Sequence, residues 1–188
     1  MTDRMIGDYS PEIWKGFIDM ELFGKGAKAH ELSNLIKQHS IAGFASGFIP
    51  VPGLDLAALV ANTWTMYVRI NNVVGISFSD NALKSIASGV FANLVSVIPS
   101  IAVLLGVETA LKFIPGIGTL GGMAIGAAGN VAVTYVAGKV YLKSLEVLIH
   151  SGKPITEENI KKATEQTSKD KAFVKNAYAE GKEVAKNR

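Results

Sequence analysis

The chain has 188 residues, of which 48% are apolar and 19% charged, and it carries no cysteine. That length is one domain with at most a tail, the apolar share excludes a disordered chain, and the missing cysteines exclude disulfides and thiolate metal sites. The formal charge of +3 is uneven: residues 1–150 hold ten Lys/Arg against ten Asp/Glu, while residues 151–188 hold nine against six. A neutral body without a dense basic face argues against nucleic-acid binding, and a weak attraction of the basic end to anionic lipid fits better.

In chain order, the opening MTDRMIGDYSPEIW lacks the basic-then-apolar profile of a secretory signal, so residence on the cytoplasmic side is expected. Ser10-Pro11-Glu12 reads as an N-cap, a proline at the first helical position and an acid at the positive dipole end. It predicts a first helix to about Phe23, ended by Gly24-Lys25-Gly26. A second helix covers roughly 27–47 and stops at Phe48-Ile49-Pro50-Val51-Pro52-Gly53, where two prolines forbid continuation. A third runs from near Asp55 to Gly75, and Ser79-Asp80 caps a fourth that extends to about Lys112 with a kink at Pro99. A fifth runs from Thr119 to near Gly152, and Pro154-Ile155-Thr156-Glu157-Glu158 opens a charged tail of one or two exposed helices. No strand alternation persists over a useful length, so the fold class is all-α. The expected organisation is an N-terminal helix over 1–26, a helical-hairpin core over 27–152 and a charged helical tail over 153–188.

Two stretches carry no charge: 23 residues between Lys84 and Glu108, and 26 between Lys112 and Lys139. A helix needs about 20 apolar residues to cross a bilayer core, so each is long enough. Arg69 and Lys84 before the pair, and Lys139 and Lys143 after it, suit a hairpin with both open ends on the cytoplasmic side. Against this, the stretches are rich in Ala, Gly, Ser, Asn and Thr, and Ser85, Ser88, Ser96 and Ser100 share a face with Gly89 and Ala92. A helix apolar all round is also what the centre of a bundle looks like. Both readings stand at this level: a hairpin embedded in or entering a membrane, and a hairpin buried in a bundle.

Gly116, Gly118 and Gly121 spell the spacing of a dinucleotide-binding loop, which requires a preceding strand and an acid about 20 residues on. Here a helix precedes and the next acid is Glu146, so the glycines make a turn. The triplet Phe113-Ile114-Pro115 repeats Phe48-Ile49-Pro50, each followed three residues later by glycine, Gly118 and Gly53. Each then enters a helix with a central tyrosine, Tyr135 and Tyr67, so one helix–turn–helix corner is used twice, at Pro50, Pro52 and Gly53 and at Pro115 and Gly118. Gly122 and Gly126, continued by Gly129, form a thin face that lets a second helix approach closely in lipid or in water.

On the third helix Asp55, Asn62 and Arg69 recur every seven residues as a polar stripe. It reads as a partner-facing or pore-lining strip, or as the solvated face of an amphipathic helix with Asp55 capping it. His30 and His39 are nine residues apart and His150 stands alone, so no metal spacing is present, and surface solvation accounts for each. No nucleophile motif or phosphate loop is visible, because Gly138-Lys139 is followed by Val140 rather than Ser or Thr. Neither an enzyme nor a cofactor is expected.

Pro50, Pro52, Gly53, Asp55, Met66 and Gly75, followed by Pro115-Gly116-Ile117-Gly118 and Thr134-Tyr135-Val136-Ala137-Gly138-Lys139, carry a family resemblance. Over roughly 36–150 the chain resembles the bacterial helical domain catalogued as domain of unknown function 697, often fused to or encoded with Era-like GTPases. The resemblance implies an all-helical, membrane-associated module working beside a GTPase, with no catalytic residues to carry over. This chain departs from the fused members in lacking a G domain, and the family's helix-position Gln has Asn62 or Thr63 in its place.

The reading is a compact bundle of two helical hairpins, the second able to enter a membrane, with a charged tail. Its expected role is non-enzymatic membrane association at the cytoplasmic face of a bacterial inner membrane, with membrane lipid, further copies of itself or a separate GTPase as partners. The alternatives are a toxin-like pore former with an inserting hairpin and a soluble interaction module. The tail is expected to form solvated helices, and its loss after Gly152 to leave the bundle folded.

Overall fold

A computed structural model describes residues 26–46, 54–97 and 118–187, with side chains described at 26–45, 57–94, 96–97 and 127–187. The predicted first helix, the corners at Pro50, Pro52, Gly53 and Pro115, the kink at Pro99 and the side chain of Asp55 lie outside the described residues. The described residues form an all-α bundle with no strand, of six helices: α1 (Ala27–Ser46), α2 (Leu54–Val74), α3 (Asp80–Val97), α4 (Gly118–Ser151), α5 (Glu157–Lys169) and α6 (Lys171–Lys186).

The helix ends follow the local chemistry. Gly75, at φ +81°, closes α2, and the N–H groups of Gly75 and Ile76 both donate to the Asn71 carbonyl, at 2.8 and 2.9 Å. Ser79 caps α3, its Oγ accepting from the Ala82 N–H at 3.3 Å. At the end of α4, Gly152 adopts φ +64°, and Lys153 N–H reaches the Leu148 carbonyl while Gly152 N–H reaches that of Ile149, a Schellman closure. Gly118 is the first residue of α4, as a corner glycine leading into a helix should be. Thr156 and Asp170 cap α5 and α6 through their side-chain oxygens.

The long helix α4 is the axis of the bundle, with α1 and α6 as its main neighbours and α5 and α2 beside them. α1 and α2 pair as the first hairpin, whereas α3 makes its larger contacts with α5 and α2 rather than with α4. Every residue from 129 to 138 is buried. Among the described residues no helix is long and apolar enough to cross a membrane. The described part of the second uncharged stretch instead fills the bundle centre, so as folded it does not offer its apolar faces to lipid. Across this axis Tyr67 of α2 stacks on Tyr141 of α4, centroids 4.1 Å apart and planes 12° from parallel. Each hydroxyl finds an acceptor across the interface: Tyr67 donates to the Ala137 carbonyl at 3.1 Å, and Tyr141 to Asn71 Oδ1 at 2.8 Å.

The tail departs from expectation. It is helical and charged, but its helices are not solvated on all sides. Ile160, Ala163, Val174 and Ala177 belong to the same core as α4, and Gly181 is buried beside them. The physical reason is residue size rather than apolar content. A Cβ placed on Gly181 would lie 2.8 Å from the Ala132 Cα and 2.9 Å from its carbonyl oxygen, so α6 lies directly on the α4 backbone. Close approach lets a few small side chains exclude water from a whole helix face.

Candidate functional site

Three helix crossings depend on glycine. Gly43 of α1 has space only for hydrogen, since a Cβ there would come 2.7 Å from Thr134 Oγ1. Gly138 of α4 has Ile36 Cγ2 at 2.8 Å and Met66 Sδ at 3.1 Å from the same imagined atom, and Gly181 serves the α6 contact described above. The glycines singled out in the sequence, Gly122, Gly126 and Gly129, all lie in α4, where Gly129 is buried and the surroundings of Gly122 and Gly126 are outside the described residues. Sequence reasoning passed over Gly43 and Gly181. Gly181 has no second glycine at GxxxG spacing, so no pattern marks it, whereas Gly43 stands four residues before Gly47 and that spacing was the signal available for it.

The polar stripe of α2 meets α1. Asn62 Oδ1 lies 2.9 Å from His39 Nδ1, and Asn62 Nδ2 donates to the His39 carbonyl at 2.8 Å, which fixes the amide orientation. Arg69 Nη1 stands 3.1 Å from His39 Nε2. A guanidinium has donors only, so Nε2 must accept and Nδ1 must carry the proton. The imidazole is therefore held neutral. Burial, chiefly, and the Arg69 charge hold its pKa below the ordinary 6.5, with the Asn62 hydrogen bond offsetting part of the effect. This corrects the expectation for His39: it is 8% exposed, a member of an interhelical cluster rather than a solvated histidine. His30 and His150 are exposed, as expected. Arg69 is itself exposed, so the described part of the stripe turns Asn62 to α1 and leaves the guanidinium at the rim.

A second polar set ties the tail to the body. The Glu157 carboxylate at the start of α5 accepts from the Ser79 N–H at 2.7 Å, supplying an acceptor at the N-terminus of α3, and this bond holds its pKa below the usual carboxylate range. Asn93 Nδ2 of α3 donates to Ser168 Oγ of α5 at 2.9 Å, and Ser144 Oγ of α4 meets Thr167 Oγ1 at 3.1 Å. Tyr135 of α4 donates to Glu180 Oε2 of α6 at 3.0 Å, with Lys139 Nζ 3.4 Å from the same oxygen. Burial first, and then the bond to Glu180, push the Tyr135 phenol up to about 12. Among the described residues no three His, Asp or Glu side chains converge as a metal site would require.

Fold and contacts together define a helical packing module whose polar groups join helices to one another. No family model matches the chain, and no solved structure matches it. The chain is similar to magnetosome membrane protein 22 of Magnetospirillum gryphiswaldense, at 31% identity over 113 residues that make up 60% of this chain. Those residues span 56% of that protein, a little over half its length.

Proposed function

We propose that the chain is a non-enzymatic, membrane-associated helical module that acts by assembly on the cytoplasmic face of a bacterial membrane. The observation that carries this reading is the 31% identity to a protein named for a membrane. The all-helical architecture supports it, because the polar groups described above are engaged in joining helices rather than in a cleft. Attachment takes place at the surface of the folded bundle, since the described apolar stretch of α4 is covered by α1 and α6. The partner in assembly is a further copy or a separately encoded GTPase. The GTPase rests on the paired Pro/Gly corners and the Thr134–Lys139 signature, which resemble the GTPase-associated helical domain.

Fractionation of a bacterium expressing the full chain tests this. The protein is expected in the membrane pellet at low salt and in the wash at high salt, and its recovery on beads should bring down a GTPase or a second tagged copy. Complete recovery in the low-salt supernatant overturns the reading.

A further inference from the structure

The register of α6 carries a feature that its composition hides. At about 3.6 residues per turn, Lys171, Lys175, Lys182 and Lys186 fall within roughly 60° of arc, with Tyr178 about 20° beyond its core-side edge. All four lysines are exposed, Tyr178 is half-buried, and the residues packed on the core, Val174, Ala177 and Gly181, lie on a different face. Lys182 Nζ sits 5.5 Å from the Tyr178 ring centroid. Exposed Ala172 and Ala179 border the lysines, so no bulky side chain screens them.

The acids of α6 and its cap leave three of the four lysines without a partner. The Asp170 carboxylate accepts from the N–H groups of Ala172 and Phe173, both at 3.0 Å. Glu180 points to Tyr135 and Lys139 of α4, and Glu183 pairs with Lys186 at 2.7 Å. Lys171, Lys175 and Lys182 have no acidic partner among the described residues. The body of the chain is neutral and the +3 resides beyond residue 150.

From this we infer that the outer face of α6 is the surface that seats the bundle on an anionic lipid headgroup layer. The inference rests on the membrane-associated reading above and names the face that makes the contact. Charge complementarity supports it: unpaired ammonium groups in a line, at spacings of one to three helical turns, meet a plane of phosphates and carboxylates, with a tyrosine suited to the headgroup level. The apolar face of α6 is already committed to α4, so the helix binds from above rather than embedding as a free amphipathic helix does. Attachment is therefore electrostatic and fades as salt shortens the reach of the charges.

The test uses the full chain and vesicles of phosphatidylcholine, alone or mixed with phosphatidylserine. The triple variant Lys171→Gln/Lys175→Gln/Lys182→Gln is compared with Lys143→Gln/Lys162→Gln/Lys169→Gln, which removes the same charge from lysines already paired with acids. Circular dichroism establishes that both remain folded. Each unpaired lysine is expected to contribute about fivefold, so the first variant should lose about a hundredfold in partition to mixed vesicles, and the second less than tenfold. Equal losses overturn the inference, because net charge and not this face then governs binding. Equal binding of the wild type to both vesicle types also overturns it while leaving membrane association standing. Failure to bind either vesicle removes the membrane reading itself. Preferential, stripe-dependent capture of duplex DNA would assign the face to nucleic acid and overturn the lipid inference.

Discussion

The middle of α4 and the tail helices reach the same core by opposite routes. Residues 129–138 are uncharged and buried on every side, as an axial helix should be. Residues 157–186 carry alternating charges, yet α5 and α6 each bury a narrow strip, Ile160 and Ala163 in one and Val174, Ala177 and Gly181 in the other. Apolar length decides what must be covered, and side-chain size decides what can cover it. The charged tail is the lid on the uncharged helix.

Removing the lid should have the largest effect. Truncation after Gly152 uncovers the α6-facing side of α4 and discards Ile160 and Val174, both fully buried. Burial of each such side chain is worth about 1.5–3 kcal/mol, against a total stability of typically about 5–15 kcal/mol. The truncated chain is expected to aggregate or to lose cooperative melting, measured by gel filtration and circular dichroism. A monomer melting within a few degrees of the full chain would restore the picture of a solvated tail.

A sharper probe compares two glycines. Gly181→Leu drives a side chain into the Ala132 backbone, which cannot yield, and should cost at the upper end of about 1–3 kcal/mol. Gly138→Ala instead meets the side chains of Ile36 and Met66, which can shift. The helix-propensity gain of about 1 kcal/mol offsets that strain, leaving the variant within about 1 kcal/mol of wild type. Urea midpoints of the two variants check the order, and the reverse order would mean that α6 does not lie on the α4 backbone.

Much of the fold was legible because punctuation is local. Gly75 and Gly152 stop helices where sequence placed the stops, and Ser79 and Thr156 start them. What sequence could not supply is which faces meet. The sequence pairs Tyr67 and Tyr135 as echoes of a repeated corner, but the stack joins Tyr67 to Tyr141, about 1.7 turns further on, because the crossing of α2 over α4 sets the partner. Gly181 carries the tail's tightest contact, yet a lone glycine in a charged helix resembles a weak point in that helix. The stripe through Asn62 and Arg69 was visible by its seven-residue period, whereas His39 lay on another helix and had no sequence mark of its role.

That last contact gives the smallest effect, and its sign follows from the hydrogen bonds. His39 accepts from Arg69 at Nε2, so a second proton on the ring would set two donors against each other. The folded pKa lies below the unfolded value of 6.5, chiefly through burial. Above that pH both states are neutral and this stabilising contribution is fully present. As pH falls below it, the unfolded chain takes up the proton first, and stability declines until the folded pKa is passed. Glu157, Glu158 and Glu165 are held below their ordinary 4.5, so the stability they contribute begins to fade only as pH approaches that unfolded value, below the onset of the His39 effect at 6.5. The urea midpoint of the wild type is therefore expected to drop as pH falls from neutral through 6.5. His39→Gln, which keeps an amide donor and acceptor but no titrating ring, should flatten that part of the slope at the cost of a lower midpoint near neutrality. Parallel slopes in the two proteins would show that His39 is protonated as readily folded as unfolded, and that the α1–α2 cluster is looser than the bond lengths imply.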